Sequence, residues 1–546
     1  MEFEYNFGAV GIPLFLIFML FEYIALKLKG RNLHTYSDSV TSGSMGACLL
    51  ISEALLKVFT FGVFIWVWEN YRVLEFSSAS LVTWVVFFFG VDFCYYWFHR
   101  IAHERNILWG AHEGHHQGEE FNYTTAVRQS AFQYAFSWVF YLPLAVLGCP
   151  PEVYLGQFLI LKAYQFWIHT QGIDRVPFIE GILSTPSSHR VHHAKNPMYI
   201  DRNYGGTLVI WDRFFGSWQP ELREEACHYG TTNVPNTLSP LKLNFRHWHN
   251  LFHDTIATKK MSDKIAVWFK PTGWRPADCV DVNHHLQKEG TANRPKYDPY
   301  STLPKKVYAG FSTLLTFLAG TMFIFLSPQL DALYKIAGAL ILVSGVIVAT
   351  HLLENKTKLI PFEAIRLPLM LGFIYALWSF PVTTTVVNKI VINKPGYEAL
   401  NYAGDVNHWP KWHPSSKHVV TSQTGATNNS ASSSNTIQLS ALHAGDTFTE
   451  KIETPIGPND LKWNITDYQP GQEWSAKAEN LTNGSVISLI YRVSATSERQ
   501  TEFERTLKYT LPNFALVAAN ALYAKKKIEQ NSAHSLVQLK AAIESI

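Results

Sequence analysis

Long apolar runs dominate the first two thirds of the chain and give way to alternating polarity in the last third. Residues 9–26, 44–68, 80–98, 131–148, 153–168, 307–326 and 332–353 are almost uniformly apolar. Each approaches the roughly 20 residues that cross a bilayer as a helix. An eighth run, 367–380, is short and flanked by Pro361, Pro368 and Pro381, which suits a re-entrant helix as well as a span. From about residue 382, segments 385–392, 448–452 and 486–493 alternate as strands do, and a Ser/Asn/Thr tract occupies 421–436. After Pro512, apolar residues at Val517, Ala521, Ile528, Leu536, Leu539 and Ile543 predict a closing helix. The pattern predicts a mainly α, multi-span membrane protein with a C-terminal α+β domain. The expected divisions are 1–219, a proline-punctuated cap at 220–304, further transmembrane helices at 305–381, and the α+β domain at 382–546.

Composition agrees with this division. Charged residues make up 16% of the 546, against about 25% in soluble domains, and aromatics reach 14%. The 46 Lys and Arg nearly balance 43 Asp and Glu, which excludes a chain built to wrap nucleic acid. Five cysteines show no paired spacing and are expected to be reduced and structural. Lys27, Lys29 and Arg31 follow the first run, so the positive-inside rule sets them in the cytosol. Counting crossings then returns the chain to the cytosol at His99, and again after a hairpin that turns at Cys149, Pro150 and Pro151. The segment 169–304 is therefore expected on the same face.

That face gathers the histidines. HRIAH holds His99 and His103; HEGHH holds His112, His115 and His116; HRVHH holds His189, His192 and His193. With 22 histidines in 546 positions, H-x-x-H-H is not expected by chance even once, yet it occurs twice. Spacings of three and four put side chains on one face of a helix, as chelation requires. His169, in QFWIHT, ends the fifth apolar run at the same surface. Eight or nine imidazoles exceed what one tetrahedral metal uses and suit a dinuclear centre, with zinc, copper, iron and nickel all compatible. Surface histidines or a structural zinc are the simpler readings, and they need fewer residues than are present.

These residues resemble the fatty acid hydroxylase and sterol desaturase superfamily of integral-membrane di-iron enzymes. The pattern H-x(3,4)-H, H-x(2,3)-H-H, H-x(2,3)-H-H is met in order, with a hydrophobic hairpin between the second and third boxes. YYWFHRIAHE, AVRQS, QFWIHT, STPSSHRVHH and GTLVIWDRFFG are most similar to the branch that cleaves alkylglycerol ether lipids. The resemblance implies two non-haem irons on the nine histidines, O2 activation, and hydroxylation of a membrane lipid C–H bond. It also implies an external reductant, which in that branch is tetrahydrobiopterin. Fatty acyl or sterol hydroxylation or desaturation uses the same boxes, and a non-enzymatic lipid-binding or lipid-transfer protein is the reading from another class. The centre is expected at the cytosolic face of a multi-pass membrane protein.

Residues expected to orient the ligands or meet the reductant are Asp92, Glu104, Asp201 and Asn203. His247, His249 and His253 in FRHWHNLFH suit an amphipathic interfacial helix better, and His228, His284 and His285 carry no usable pattern. Glu22 and the Glu53 and Lys57 pair lie within spans, where packing or snorkelling is the expected role. The last third, with Trp409 and Trp412 in VNHWPKWHP, resembles START-like and polyketide-cyclase-like helix-grip domains. That resemblance implies an apolar cavity for a hydrophobic ligand. The domain's side of the membrane follows from whether 367–380 crosses.

Overall fold

A computed structural model describes residues 2–279, 295–356, 358, 360–422, 444–455, 457–497 and 499–546. His284, His285 and nearly all of the 421–436 tract lie outside the described residues. The chain divides into two compact units, Met1–Tyr375 and Ala376–Ile546.

The first unit is helical. Its long helices are α1 (Glu2–Leu28), α2 (Tyr36–Tyr71) and α3 (Leu81–Glu104). The short α4 (Glu113–His116), α5 (Pro151–Trp167), the short α6 (Pro186–His193) and α7 (Ile210–Phe215), and α8 (Pro240–Ala257) follow. α9 (Leu303–Leu326), α10 (Ala332–Leu353) and α11 (Ile360–Trp378) complete the helical series. Among the described residues, α2, α3, α9, α10 and α11 are long and apolar enough to cross a membrane. α11 runs unbroken through Pro368, so the short eighth run is the core of a full-length helix.

The hairpin departs from expectation. Residues 131–148 do not form one span but three short pieces, Gln133–Ser137, a tight turn of helix at Trp138–Tyr141, and Leu142–Leu147. Pro143 lies in the first turn of the last piece, and Gly148 ends it at φ 100°. A side chain at Gly148 would strike the carbonyl of Leu74, so only glycine fits. The return limb α5 has 17 residues, below the usual spanning length. All five cysteines are free thiols.

In the cap, α8 is amphipathic. It buries Leu243, Asn244, Leu251 and Asp254 and exposes Phe245, Phe252 and Ile256. Buried Glu22 on α1 accepts from the Thr170 hydroxyl and from the Tyr123 amide at 2.7 Å, tying α1 to the chain beside His169.

The second unit is a seven-stranded antiparallel sheet with β1 (Val382–Ile392), β2 (Ser416–Ser422), β3 (Thr447–Thr454), β4 (Gly457–Gln469), β5 (Glu473–Asn480), β6 (Val486–Ser497) and β7 (Gln500–Leu511). The spatial order is β1-β7-β6-β5-β4-β3-β2. Between β1 and β2 lie α12 (Gly396–Gly404) and α13 (Trp409–Trp412), and α14 (Lys525–Glu544) closes the chain. Ser532, Ser535, Leu536, Leu539 and Ile543 on α14 are buried at helical spacing. Trp409, Trp412, Trp463 and Trp474 share the core with Phe448, Tyr491 and Phe503.

Candidate metal centre

Local sequence explains why the third histidine box is a helix. Thr185 caps α6 by accepting from the Ser188 amide, Ser188 returns the bond, and Pro186 occupies the first turn. Arg190, inside the box, pairs with Glu221 at 2.7 Å. It also donates to the carbonyls of Thr170 and Ile173 at 3.1 and 2.7 Å, which fixes α6 against the segment that carries His169.

The nine histidines come together in two buried groups. His99, His103, His112, His116 and His192 form one; His115, His169, His189 and His193 form the other. Within each group the ring nitrogens lie within 4.8 Å of one another. Within each H-x-x-H-H box the histidines four apart go to one group and the histidine between them to the other. The second box therefore sends His112 and His116 to one group and His115 to the other. The third box does the reverse, sending His189 and His193 one way and His192 the other.

Hydrogen bonds fix which nitrogen each ring offers. Nδ1 of His99 donates to the Tyr204 carbonyl at 2.8 Å and Nδ1 of His192 to that of Arg202 at 2.9 Å. Nδ1 of His115 donates to Arg128 at 2.8 Å and Nδ1 of His169 to Gln165 at 2.5 Å. A carbonyl oxygen only accepts, so all four rings hold a bare Nε2. Yet Nε2 of His115 and His169 face each other at 3.2 Å, and Nε2 of His99 faces that of His112 at 3.0 Å. Nε2 of His192 and of His193 is buried without a partner.

Burial, reinforced by neighbouring imidazoles, holds the pKa of His112, His115, His116, His189, His192 and His193 well below the usual histidine value. Protons are therefore poor occupants, and converging lone pairs that repel one another call for cations. The donor set fits two metal ions.

The other expected residues surround the donors without joining them. Asp201 alone reaches a ring, with Oδ1 3.5 Å from Nδ1 of His103. Asp201 and Asn203 both adopt φ 58°, a left-handed conformation that Asp and Asn tolerate best among residues other than glycine. They flank Arg202, whose carbonyl orients His192. Asn203 holds this loop by donating to the Ser188 and Gln219 carbonyls at 3.0 and 2.7 Å. Glu104 pairs with Arg100 at 2.9 Å. Asp92 accepts from the amides of Thr207 and Leu208 at 2.6 and 3.2 Å and from the Trp211 indole at 2.9 Å. It thereby anchors the segment that carries Tyr204, and Gly206 packs against it so closely that a Cβ would meet Asp92, Tyr95 and Leu161.

Sequence reasoning missed the four carbonyls, because any residue type can supply them. It also missed Asp212, which accepts from the Tyr204 and Gly205 amides at 2.7 and 2.8 Å; its place in GTLVIWDRFFG was the available signal.

Two cavities flank the donors. One, of about 200 Å³, has His112, His115 and His169 in its wall and is otherwise mostly apolar, with Leu50, Phe158 and Phe317 among its lining. Glu53, ion-paired to Lys57 at 3.2 Å, and Lys162 also line it. The other, of about 280 Å³, touches His103, His116 and His192 and is lined by polar and aromatic residues that include Trp109, Arg246, Trp274 and Arg275.

Residues 84–217 match the family model "Fatty acid hydroxylase", and residues 383–544 match "Polyketide cyclase / dehydrase and lipid transport". Residues 84–217 are thus similar to fatty acid hydroxylase domains and residues 383–544 to polyketide-cyclase-type domains. It is 41% identical over 287 residues to alkylglycerol monooxygenase of Xenopus tropicalis, covering 53% of this chain and 64% of that protein. Against the human alkylglycerol monooxygenase it is 43% identical over 265 residues, 48% of this chain and 59% of that protein. Ornithine lipid hydroxylase OlsE of Rhizobium tropici is 31% identical over 145 residues, 26% of this chain and 43% of that protein. The chain thus spans less than two thirds of the length of these curated relatives.

Proposed function

We propose that the protein is an integral-membrane, non-haem di-iron lipid monooxygenase acting on alkylglycerol ether lipids, with its metal centre at the cytosolic face. The observation that carries this reading is the apolar cavity whose wall includes His112, His115 and His169. A lipid chain threaded there presents its C–H bonds to donors of both groups. The high identity to alkylglycerol monooxygenases favours an ether lipid over an acyl or sterol substrate. Hydroxylation beside the ether oxygen yields a hemiacetal, which collapses to a fatty aldehyde and a glycerol derivative.

Two irons, when bound, would supply O2 activation. The five-histidine group would hold one and the four-histidine group the other. The protein's own part is to keep the rings neutral by burial, to aim Nε2 of His99, His115, His169 and His192 inward by fixing Nδ1 on a carbonyl, and to exclude water from the lipid chain's path. Asp201 steadies His103, Asn203 holds the loop beside His192, and Asp92 anchors the segment of Tyr204. Glu104 orders Arg100 at the end of α3. An external reductant, tetrahydrobiopterin by analogy with the ether-lipid branch, would approach through the polar cavity beside Trp109 and Trp274.

The test is anaerobic purification in detergent, with metal analysis, Mössbauer spectroscopy, and an assay of O2-dependent aldehyde release from an alkylglycerol. Two irons per chain and aldehyde release dependent on a pterin are expected. One zinc per chain, or no turnover of ether lipids by iron-loaded protein, overturns the reading.

A further inference from the structure

The C-terminal unit holds a second buried polar centre that the metal chemistry does not use. Strand β7 turns Phe503, Arg505, Tyr509 and Leu511 inward, with Leu507 partly buried on the same face. Alternation thereby sets a guanidinium, 2% exposed, on the apolar side of the sheet.

Arg505 Nη1 donates to the Ser532 and Ser535 hydroxyls on α14 at 3.1 and 2.7 Å, and Nη2 donates to Nε2 of His413 at 2.5 Å. None of these partners is an anion. Burial and then Arg505 itself hold the His413 pKa well below the usual value, so the ring is neutral. Because its Nε2 accepts, its proton sits on Nδ1, and that nitrogen has no partner. Arg505 Nε is likewise buried without a well-formed hydrogen bond, and the neutral Tyr491 hydroxyl stands beside the guanidinium. Among the described residues no carboxylate stands within ion-pair distance of Arg505. Holding a buried cation on neutral partners alone, with the His413 Nδ1 donor unanswered, is unfavourable, and such groups in native proteins point to a missing partner.

Arg505 and His413 both line a cavity of about 160 Å³. Away from them the lining includes Leu461, Ile487, Leu489, Leu507, Leu511 and Ile528. From Arg505 to Leu511 the strand advances about 20 Å at roughly 3.4 Å per residue. The cavity thus has a cationic end and a long apolar wall.

We propose that this cavity binds a single-chain lipid carboxylate, with its head at Arg505 and His413 and its chain along β7 toward Leu511. The choice of a monoanion follows from Glu450, which lines the same cavity and accepts from the Trp463 indole at 2.8 Å. Burial pushes the Glu450 pKa up to about 7. A carboxylate matches the single guanidinium charge, whereas a dianion would leave a net negative charge in the cavity beside this acid. The inference concerns the second unit alone and stands whether or not the first unit oxidises ether lipids.

The test photolabels the full chain in detergent with dodecanoic acid bearing a terminal diazirine, and with the alcohol bearing the same group. Label is mapped by mass spectrometry, so capture in the first unit is counted separately. The acid should label the peptides around 485–511 and 516–531 about tenfold more than the alcohol does, the discrimination expected of a charge-assisted contact. Arg505→Gln should lower that labelling by about tenfold and Arg505→Lys should restore most of it. Thermal unfolding checks the fold of each variant. If Arg505→Gln does not fold, Leu507→Trp, which blocks the chain's path and keeps the head site, should lower labelling similarly. Equal labelling by acid and alcohol, or undiminished labelling of folded Arg505→Gln or Leu507→Trp, overturns the proposal. Competition by dodecyl phosphate at lower concentrations than dodecanoate overturns the assignment of a carboxylate.

Discussion

The two units bury polar groups at the walls of apolar cavities, and the groups left unanswered have opposite character. Around the histidines the carbonyl-fixed rings leave bare lone pairs, and that at Nε2 of His192 is buried without a partner. Around Arg505 the unanswered group is an N–H donor, at His413 Nδ1. The first arrangement complements cations and the second an anion. The difference teaches that the sign of the unpaired atoms, read with the tautomer their neighbours impose, names the class of occupant. Polarity alone does not.

Removing a lone pair is the harshest way to break this contrast. His115→Ala or His192→Ala should cost more than about a hundredfold in aldehyde release, together with most of the bound iron, measured by atomic emission. Near-normal iron in either variant would mean that these rings are packing groups. One step out, Asn203→Ala releases the loop beside His192 and should weaken iron retention by about ten- to a hundredfold in a chelator competition.

A third change sharpens the contrast by altering shape instead of charge. Leu50→Trp should fill part of the apolar cavity and raise KM for long-chain substrate by about tenfold, with iron content kept.

The smallest effect concerns pH. Glu450 has its pKa raised from 4.5 to about 7, so the folded unit binds a proton that the unfolded chain has released. That stabilisation is complete below pH 4.5 and fades as pH rises through 7. It amounts to roughly 3 kcal/mol at most. Ser416, the Trp463 indole and Arg505 are the groups facing this acid, and only the acid changes charge in that window. Unfolding of the second unit should therefore move to lower temperature between pH 5 and 8, and Glu450→Gln should flatten the trend.

The histidines were legible because ligand chemistry demands particular residue types at helical spacing. Their partition into five and four needed the structure, since it depends on how α3, α4 and α6 face one another. Asp92 was visible as an acid in a span, but its partners, the backbone amides of Thr207 and Leu208, leave no trace in residue identity. The run 131–148 looked like a span because hydropathy averages over polar Gln133 and Ser137 and does not register the change to a tight helical turn at Trp138–Tyr141. Arg505 was invisible for a different reason. On a strand of alternating polarity, one arginine reads as outward-facing until the register fixes it inward opposite Tyr491.

The crossed allocation of the histidine boxes has a consequence for assembly. α4 and α6 each lend rings to both groups, so neither group has a scaffold of its own. An ion captured by one group immobilises the helices that hold rings of the other, and the entropy of ordering them is met once for two ions. If two ions bind as proposed, loading should be cooperative, and singly loaded protein should be sparsely populated even when metal is limiting. An iron titration should show empty and doubly loaded protein side by side.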